Sequence, residues 1–406
     1  MTTSTPPRDP HDHRREATAV QLSWLRRELA DWQASGIVDT EQAAAISGRY
    51  RTVAEARRFS LGRLLLALGA LFVGVGLIWL VAANLDQLPP LLRFVVVAFF
   101  WLAFLVGGEL AAPRLTPAVL GALRLLAALT FGATIFQAAQ SMQVPAYEPV
   151  LLGLWSAGTL LHAYLTRAVT PLLVGIATGL VWWIWQPLAH AGSGAGAVLT
   201  LGTASVLAVS LAVLHDRDRD GDRSAFAYSW RTVGCALVMV TLFAAAIPYT
   251  TTDGFEWNLW LVLGLVAAGV AAAAAVVRAR GNARWEPLGA LGVLGFSVLM
   301  VLWDTGTDTS SVDLADWAHA AVGVAAYVVV AVGLAALGTL RDNPILTVIA
   351  MIALVVFTTF QSFAVFAAII QGAWLFVVLG LVFLATGFLF DRARRGITAT
   401  LEGAES

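Results

Sequence analysis

Long apolar runs separated by short polar breaks make up the chain from Leu61 onward. The first run, Leu64 to Ala83, carries no charge, and its roughly twenty residues are enough for a helix to cross the ~30 Å hydrocarbon core of a bilayer. The run is followed by Asn84, Asp86 and the Pro89–Pro90 pair, where proline prevents the helix from continuing. This stretch therefore predicts a first transmembrane helix.

The same alternation continues to the C-terminal region and predicts about twelve spans. Only the segment FTTFQSF separates the last two runs, so counts of about ten or eleven also agree with the pattern. The predicted spans are residues 63–83, 91–111, 119–139, 150–166, 170–187, 197–214, 232–248, 258–277, 287–303, 318–338, 344–362 and 369–390. The predicted fold class is an all-α, polytopic transmembrane helix bundle within residues 59–391.

The segment before the first span is polar and predicts two regions. Residues 1–16 combine proline, threonine and charge, a composition typical of a disordered tail. Residues 17–58 predict a short cytoplasmic helical hairpin, in which Gly36 ends the first helix and an Asp39–Gln42 capping box begins the second. The apolar stripe of the first helix is Leu22, Leu25, Leu29 and Trp32, and that of the second is Ala43, Ile46 and Tyr50.

Arginine is concentrated in alternate loops, and this asymmetry predicts the orientation. Loops rich in Lys and Arg stay in the cytoplasm. With the first span running outward, the inner loops hold Arg114, Arg167, the cluster Arg217 to Arg231, Arg278 to Arg284, Arg341 and Arg392 to Arg395. The outer loops hold Arg93 alone among arginines, together with most of the loop carboxylates. Both termini, including the tail 392–406, are therefore predicted to be cytoplasmic.

The composition supports a membrane location and limits the partners. Hydrophobic residues make up 59% of the chain and charged residues 13%, whereas soluble domains carry about 25% charged residues. The net charge of −1 gives no overall attraction to nucleic acid. We expect a multi-pass protein of the plasma membrane whose partner is the lipid bilayer, with self-association or a protein partner docking through residues 17–58.

Three segments of the N-terminal half resemble the DUF2157 family of bacterial membrane proteins. They are WLRRELADWQASGIVDTEQAAAI, LGALFVGVGLIWLVAANLDQLPPLLR and FGATIFQAAQ. The family pattern at the end of the first span is matched by Ala82, Ala83, Asn84, Asp86 and Pro89, with Leu85 in place of the usual aromatic residue. Gln140 also matches, while Met142 and Gln143 stand where Tyr and His are common. The resemblance covers about residues 20–165 and implies a membrane protein without implying an activity.

One polar constellation is a candidate ligand site near the predicted outer face. Asn84 and Asp86 follow the first span, and Gln137 and Gln140 share one helical face at the end of the third. Polar groups in membrane helices are costly and often functional, so these four residues can bind a cation or a head group. The alternative is structural, with the glutamines making interhelical hydrogen bonds and Asn84 and Asp86 bonding loop backbone.

Other motifs predict structural roles. DRDRDGD, from Asp216 to Asp222, resembles the start of a calcium loop, but Ala227 occupies the position of the bidentate glutamate. His162 lies inside a span without an evident carboxylate partner, which predicts an interhelical hydrogen bond. Tryptophans near the predicted outer boundaries suggest an aromatic belt at the head groups. They are Trp182, Trp183, Trp185, Trp257, Trp260, Trp303 and Trp317. We expect no metal and no cofactor.

The sequence favours a non-enzymatic membrane protein. One interpretation is a scaffold, or a bundle that holds a lipid or a small apolar ligand between helices. The rival is a transporter or flippase of a lipid-like or neutral substrate, disfavoured by the lack of acidic or basic residues near the midpoint of any predicted span. A lipid-processing enzyme that uses outer aspartates is a third interpretation, but the sequence shows no paired arrangement of catalytic groups.

The predicted orientation can be checked with reporter tags. An even number of spans places tags fused at residue 1 and at residue 406 in the same compartment, and the arginine distribution makes that compartment the cytoplasm. Protease protection of each tag in inverted and right-side-out vesicles measures this. Tags found on opposite sides would mean an odd number of crossings.

Overall fold

The structure is a computed structural model with an all-helical membrane region. It describes residues 15–17, 19–52, 61–84, 89–143, 145, 148–190, 192–216, 225–247, 250, 252–303, 314–341, 343–366, 380 and 384. Helices α1 and α2 cover Ala19–Ala34 and Thr40–Gly48. Helices α3 to α13 cover Leu61–Asn84, Pro90–Ala111, Pro117–Ser141, Pro149–Thr166, Val169–Leu188, Gly194–His215, Ala225–Ala245, Leu259–Arg278, Trp285–Leu302, Leu314–Leu340 and Pro344–Phe366.

The predicted spans correspond to helices in this part of the chain. Helices α3 to α13 coincide in order with the first eleven predicted runs. By length and composition, eight helices of the described chain are suited to cross a membrane, and two shorter apolar helices lie at Leu65–Gly76 and Pro344–Phe360. The last predicted run, 369–390, lies almost wholly outside the described residues. The polytopic bundle is confirmed, and the count of about twelve spans stays a prediction.

The N-terminal hairpin forms with the predicted caps. Gly36 has φ +70°, and the Ile37 N–H donates to the Trp32 carbonyl at 2.9 Å, which is a Schellman C-cap. The Asp39 carboxylate accepts from the Gln42 N–H at 2.7 Å, and the Gln42 side chain accepts from the Asp39 N–H at 3.0 Å. Both helix boundaries were therefore predictable from local chemistry.

The hairpin also contains a strand pair that the sequence did not indicate. β1 (Arg15–Ala17) pairs in parallel with β2 (Tyr50–Thr52). Strand β1 therefore overlaps the end of the predicted tail. Tyr50 lies in β2 and not on the second helix, because α2 ends at Gly48. Of the predicted stripe, Leu22 and Leu29 are buried, while the large apolar side chains left exposed include Trp24 and Ile37. Docking through this hairpin stays a prediction.

Contacts between helix ends show that neighbouring helices run antiparallel. At one end, Glu109 near the end of α4 pairs with Arg124 near the start of α5. At the same end, Glu286 of α11 pairs with Arg341, which follows α12. We call this the arginine-rich end of the bundle. Its helix ends are those that the arginine pattern assigned to one side of the membrane.

The opposite end is joined by uncharged hydrogen bonds. Ser141 Oγ at the end of α5 donates to the Pro90 carbonyl of α4 at 3.1 Å. Asn258, the N-cap residue of α10, donates from Nδ2 to the Pro187 carbonyl of α7 at 3.2 Å. A ring nitrogen of His319 in α12 lies 3.2 Å from the Met300 carbonyl of α11. Ion pairs therefore join helices at the arginine-rich end, and hydrogen bonds of uncharged groups contribute at the other end.

Helices α8 and α9 form the centre of the bundle. In each of them 67% of the residues in the apolar stretch of the helix are buried, whereas the value for α4 is 11%. Helix α8 packs against α7, α9, α10 and α11. The buried hydroxyls of α8 bond to their own helix, as Thr200 Oγ1 does to the Gly196 carbonyl at 2.6 Å. Such back-bonding satisfies a polar group without an interhelical partner. α8 can therefore be surrounded by apolar neighbours.

Reciprocal glycine–aromatic contacts bring α5 and α6 together. A Cβ at Gly132 of α5 would lie 2.2 Å from the Trp155 ring of α6, and a Cβ at Gly158 of α6 would lie 2.1 Å from the Phe131 ring of α5. The Trp155 indole also donates to the Ala128 carbonyl at 2.8 Å. Each helix therefore receives a ring where its own side chain is missing, as small residues permit at membrane helix contacts.

Gly132→Ala tests this packing. The added methyl group must displace the Trp155 ring, and we expect a loss of about 1–3 kcal/mol in the free energy of unfolding, as for overpacked cores. Unfolding of the purified protein in mixed detergent–SDS micelles measures it. Gly107→Ala on α4 is the matched control, because no atom lies within 4 Å of a Cβ there. Equal stability of the two variants would contradict the packing described.

Candidate functional site

The predicted outer-face constellation is only partly described. Asn84 is the last residue of α3, and Asp86 lies outside the described residues. On α5, which packs against α3, Gln137 is buried and Gln140 is exposed. The two glutamines that share a helical face therefore differ in environment. A site formed by Asn84, Asp86, Gln137 and Gln140 stays a prediction.

A groove runs between α6, α7, α8 and α10, and we call it the tryptophan groove. Its first cavity has a volume of about 280 Å³ and lies toward the end of the bundle opposite the arginine-rich end. The residues that define its walls are Trp182, Trp183, Gln186, Thr203, Trp260 and Gly264. Trp182 and Trp260 meet edge to face, with ring centroids 6.0 Å apart. These three tryptophans line a cavity, which differs from the lipid-facing belt that the sequence suggested.

The second cavity of the groove has a volume of about 360 Å³ and shares Trp182 and Trp183 with the first. It reaches toward the arginine-rich end. Its characteristic wall residues are Tyr164, Gly175, Leu180, Ala204, Leu211 and Trp230. The two cavities share these two indoles as wall residues and lie one after the other along α7.

Small residues bring α6 and α7 together beside this groove. Ser156 Oγ of α6 donates to the Gly175 carbonyl of α7 at 2.8 Å. A Cβ at Gly179 would lie 2.5 Å from Ser156 Oγ, so α6 and α7 approach as closely as glycine allows. These small residues and the rings of Trp182 and Trp183 all line the groove. Its wall along α7 is therefore formed by small and large residues together.

The polar groups of the groove already have partners. Trp182 Nε1 donates to Gln186 Oε1, and Trp183 Nε1 donates to Thr203 Oγ1, each at 3.2 Å. Neither cavity is lined by a charged side chain among the residues that the structure describes. A ligand in the groove would therefore meet apolar surface and satisfied hydrogen bonds.

A charged triad lies near the arginine-rich end between α4, α5 and α6. Arg124 donates two parallel hydrogen bonds to the Glu109 carboxylate, from Nε at 2.7 Å and from Nη2 at 2.8 Å. His162 Nε2 lies 3.7 Å from Glu109 Oε1, too far for a hydrogen bond, and it has no hydrogen-bond partner among the described residues. The expectation that His162 lacks a carboxylate neighbour was wrong, because α4 and α6 bring Glu109 beside it.

A second cluster, the charged quartet, joins the ends of α8, α9, α11 and α12. Glu286 accepts from Arg231 Nε at 2.8 Å and from Arg341 Nε at 2.8 Å. Asp216 accepts from Arg231 and lies 3.6 Å from Arg341 Nη1. The side chains of Arg231 and Glu286 are only 6% and 4% exposed. Two arginines and two carboxylates thus form a neutral, largely buried unit.

Sequence reasoning missed the acidic members of both clusters. Glu109 follows two glycines at the end of an apolar run, and Glu286 stands between Trp285 and a proline, so each appeared to belong to a helix boundary. Arg231 was assigned to an inner loop, whereas α9 begins at Ala225 and includes it. The sequence offered one signal for such a pair, which is an acidic residue at the end of one predicted span and an arginine at the start of the next.

The calcium-like motif has a different role where it is described. Asp216 belongs to the charged quartet and binds Arg231. The remainder of DRDRDGD, residues 217–222, lies outside the described residues. Within the described part of the chain, no group of three or more metal-ligating side chains occurs.

Glu286→Gln tests the charged quartet. Removing one buried carboxylate leaves Arg231 and Arg341 with an uncompensated charge, which costs about 3–5 kcal/mol in comparable buried pairs. SDS-induced unfolding of the purified protein measures the loss. Glu256→Gln is the control, because Glu256 is exposed and a surface change of this kind stays within about 0.5 kcal/mol. A Glu286→Gln variant as stable as the control would show that the quartet does not hold the helix ends.

Comparison with known proteins agrees with the resemblance noted in the sequence. A family model described as predicted membrane protein (DUF2157) matches residues 30–172, which run from the end of α1 to the start of α7. No curated protein and no solved structure matches the chain. The matched segment includes the triad Glu109–Arg124–His162 and the glycine–aromatic contact of α5 and α6. Residues 30–172 of this polytopic helical membrane protein are therefore similar to the DUF2157 family of predicted membrane proteins.

Proposed function

We propose that this protein is a non-enzymatic, multi-pass protein of the plasma membrane that binds a lipid-like apolar molecule in the tryptophan groove. The observation that carries the proposal is the pair of cavities along α7 that share Trp182 and Trp183 as wall residues. In this proposal both termini are cytoplasmic, so the arginine-rich end faces the cytoplasm. The following features of the groove support a chain-like, uncharged ligand.

The dimensions of the groove suit an extended chain. Along α7 its walls run from Gly175 to Pro187, which corresponds to roughly 18 Å at a rise of about 1.5 Å per residue. Volumes of about 280 and 360 Å³ lie at the lower end of the range for small-molecule pockets. A long, narrow space of this size accepts a single hydrocarbon chain more readily than a compact polar molecule.

The chemistry of the walls supports binding without catalysis. The hydroxyls in the groove donate to backbone carbonyls of the helices, as Ser156 does to Gly175 and Thr203 does to Thr200 at 3.0 Å. A nucleophile needs a base within hydrogen-bonding distance, and the described lining residues include no histidine or carboxylate. The groove therefore has the properties of a binding surface for apolar groups.

The rival function, transport of a lipid-like or neutral substrate, would use the same groove. The arrangement of the two cavities one after the other along α7 supports transport, because a substrate that crosses the membrane needs successive binding positions. Binding and transport differ in whether the ligand leaves at both ends. Transfer of a fluorescent lipid between leaflets of proteoliposomes would favour the transporter, and retention without transfer would favour the binding protein.

Ala267→Phe tests the proposed ligand site. Ala267 of α10 lines the first cavity, and a phenylalanine side chain there occupies the space proposed for the ligand. The probe is a diazirine-labelled fatty acid, cross-linked to the purified full chain in detergent and located by peptide mass spectrometry. We expect cross-links to peptides of α7 and α8 in the parent protein and a decrease of about tenfold in the variant.

Ala273→Phe is the matched control, because Ala273 lies on the exposed face of the same helix and lines neither cavity. The control should label as the parent does. Equal labelling of Ala267→Phe and Ala273→Phe, or labelling confined to lipid-facing surfaces, would contradict ligand binding in the groove.

A further inference from the structure

A second groove separates α11 from α12 and has a different chemical character. Its volume is about 580 Å³. Val209, Cys235 and Val238 of α8 and α9 form its floor, and α11 and α12 form its two walls. The two walls are bridged at one end by Glu286 and Arg341 and at the other by His319 and the Met300 carbonyl. We call this space the α11–α12 groove.

Glycines widen this groove in its middle. Gly289 of α11 and Gly333 of α12 both line it, and no atom lies within 4 Å of a Cβ built at either position. These glycines therefore do not serve a close helix contact, in contrast to Gly132 and Gly158. They leave open a channel between helices that are already fixed to each other at both ends.

Three arginines flank, in the chain, the residues Asn282 and Trp285 that line the groove at the arginine-rich end. Arg278, Arg280 and Arg284 lie in the turn between α10 and α11, and all three are exposed. None of them takes part in an ion pair within the part of the chain that the structure describes. They differ in this respect from Arg231 and Arg341, whose charges are balanced by Glu286 and Asp216.

An exposed indole connects this basic turn to the apolar space. Trp285 is 61% exposed, and the Arg284 guanidinium carbon lies 5.5 Å from the centre of its ring. Trp285 and the neighbouring Asn282 both line the groove. Tryptophan prefers the level of the lipid head groups, so the mouth of the groove lies where a phosphate would lie.

The carboxylate that faces the groove does not oppose an anionic ligand. Glu286 is the one acidic residue among the described lining residues, and both of its oxygens accept hydrogen bonds from Arg231 and Arg341. Its charge is therefore compensated inside the protein. Among the described residues of this region, the charges that no ion pair compensates are those of the three arginines in the turn.

We propose that the α11–α12 groove binds an anionic phospholipid. One acyl chain lies between α11 and α12 over Gly289 and Gly333, and the phosphate lies at the turn that carries Arg278, Arg280 and Arg284. Guanidinium groups bind phosphate through charge-assisted hydrogen bonds, and basic pockets between helices are typical sites for anionic head groups. This site is separate from the uncharged tryptophan groove and does not depend on the function proposed for it.

Charge complementarity selects this occupant over others. A zwitterionic phospholipid would fill the same apolar space, but its ammonium group would bring a positive charge toward three uncompensated arginines. A neutral apolar ligand would leave the arginines without a partner. An anionic phospholipid satisfies both the apolar walls and the basic mouth.

The experiment measures retained lipid by native mass spectrometry. The full chain is purified in detergent with equal amounts of phosphatidylglycerol and phosphatidylcholine that carry the same acyl chains. We expect retention of phosphatidylglycerol in preference to phosphatidylcholine. The triple variant Arg278→Gln, Arg280→Gln, Arg284→Gln should retain at least about tenfold less phosphatidylglycerol, because each basic residue near an anionic head group contributes severalfold to its binding. Retention of phosphatidylcholine should be unchanged.

Two matched controls separate this site from general effects. Arg26→Gln, Arg27→Gln, Arg49→Gln removes the same charge from exposed positions of the N-terminal hairpin and should not change lipid retention. Gly289→Leu fills the groove and should abolish phosphatidylglycerol retention, and Gly333→Leu should do the same from the other wall. Gly292→Leu, on the same helix but not lining the groove and with the same open space at its Cβ, should retain phosphatidylglycerol.

The proposal would be overturned if the arginine variant kept its phosphatidylglycerol, or if both hairpin and turn variants lost it equally. It would also be overturned if Gly292→Leu and Gly289→Leu behaved alike. Replacing glycine by leucine in a helix favours helix formation, so each variant is expected to fold. The far-UV circular dichroism of each purified variant checks that it has.

Discussion

Buried carboxylate–arginine pairs hold the helix ends of this bundle at one side. In a hydrocarbon environment an unpaired charge is too costly to keep, and an apolar contact gives little preference for one helix neighbour over another. The charges of Glu109 and Glu286 are each neutralised by arginines from other parts of the bundle, and these ion pairs select which helices are neighbours. Because Glu286 binds both Arg231 and Arg341, it joins the ends of α9, α11 and α12. The register of these helices along the membrane normal follows from where the carboxylates lie.

Packing between the charged end and the neutral end depends on residue size. Where glycine meets an aromatic ring, as in Gly132 against Trp155, two helices approach closely. Where large rings such as Trp183 meet a neighbouring helix, or where glycines face open space, a groove remains. Both grooves of the bundle therefore have the same origin as its tightest contacts. They differ in charge: the tryptophan groove is neutral throughout, and the α11–α12 groove ends at a basic turn.

Much of this architecture could be predicted from the chain. The apolar runs gave the helices from α3 to α13 because length and hydropathy suffice to identify a membrane helix. Gly36 and the Asp39–Gln42 box set the hairpin boundaries because capping is local chemistry. The charged clusters were not predictable in this way, since Glu109 and Arg124 meet only after two helices have packed. The parallel pairing of Arg15–Ala17 with Tyr50–Thr52 is likewise a long-range contact without a local signal. The grooves depend on which faces of α7, α11 and α12 meet, which hydropathy does not specify.

The position of Cys235 has a practical consequence. It is the only cysteine of the chain, it is buried, and it lies on the floor of the α11–α12 groove. A thiol reagent that entered that space would therefore have a single target in the whole molecule. Because burial among apolar side chains makes a thiol unreactive, Cys235 stays inert in the folded bundle, and reporter cysteines can be introduced elsewhere without first replacing it.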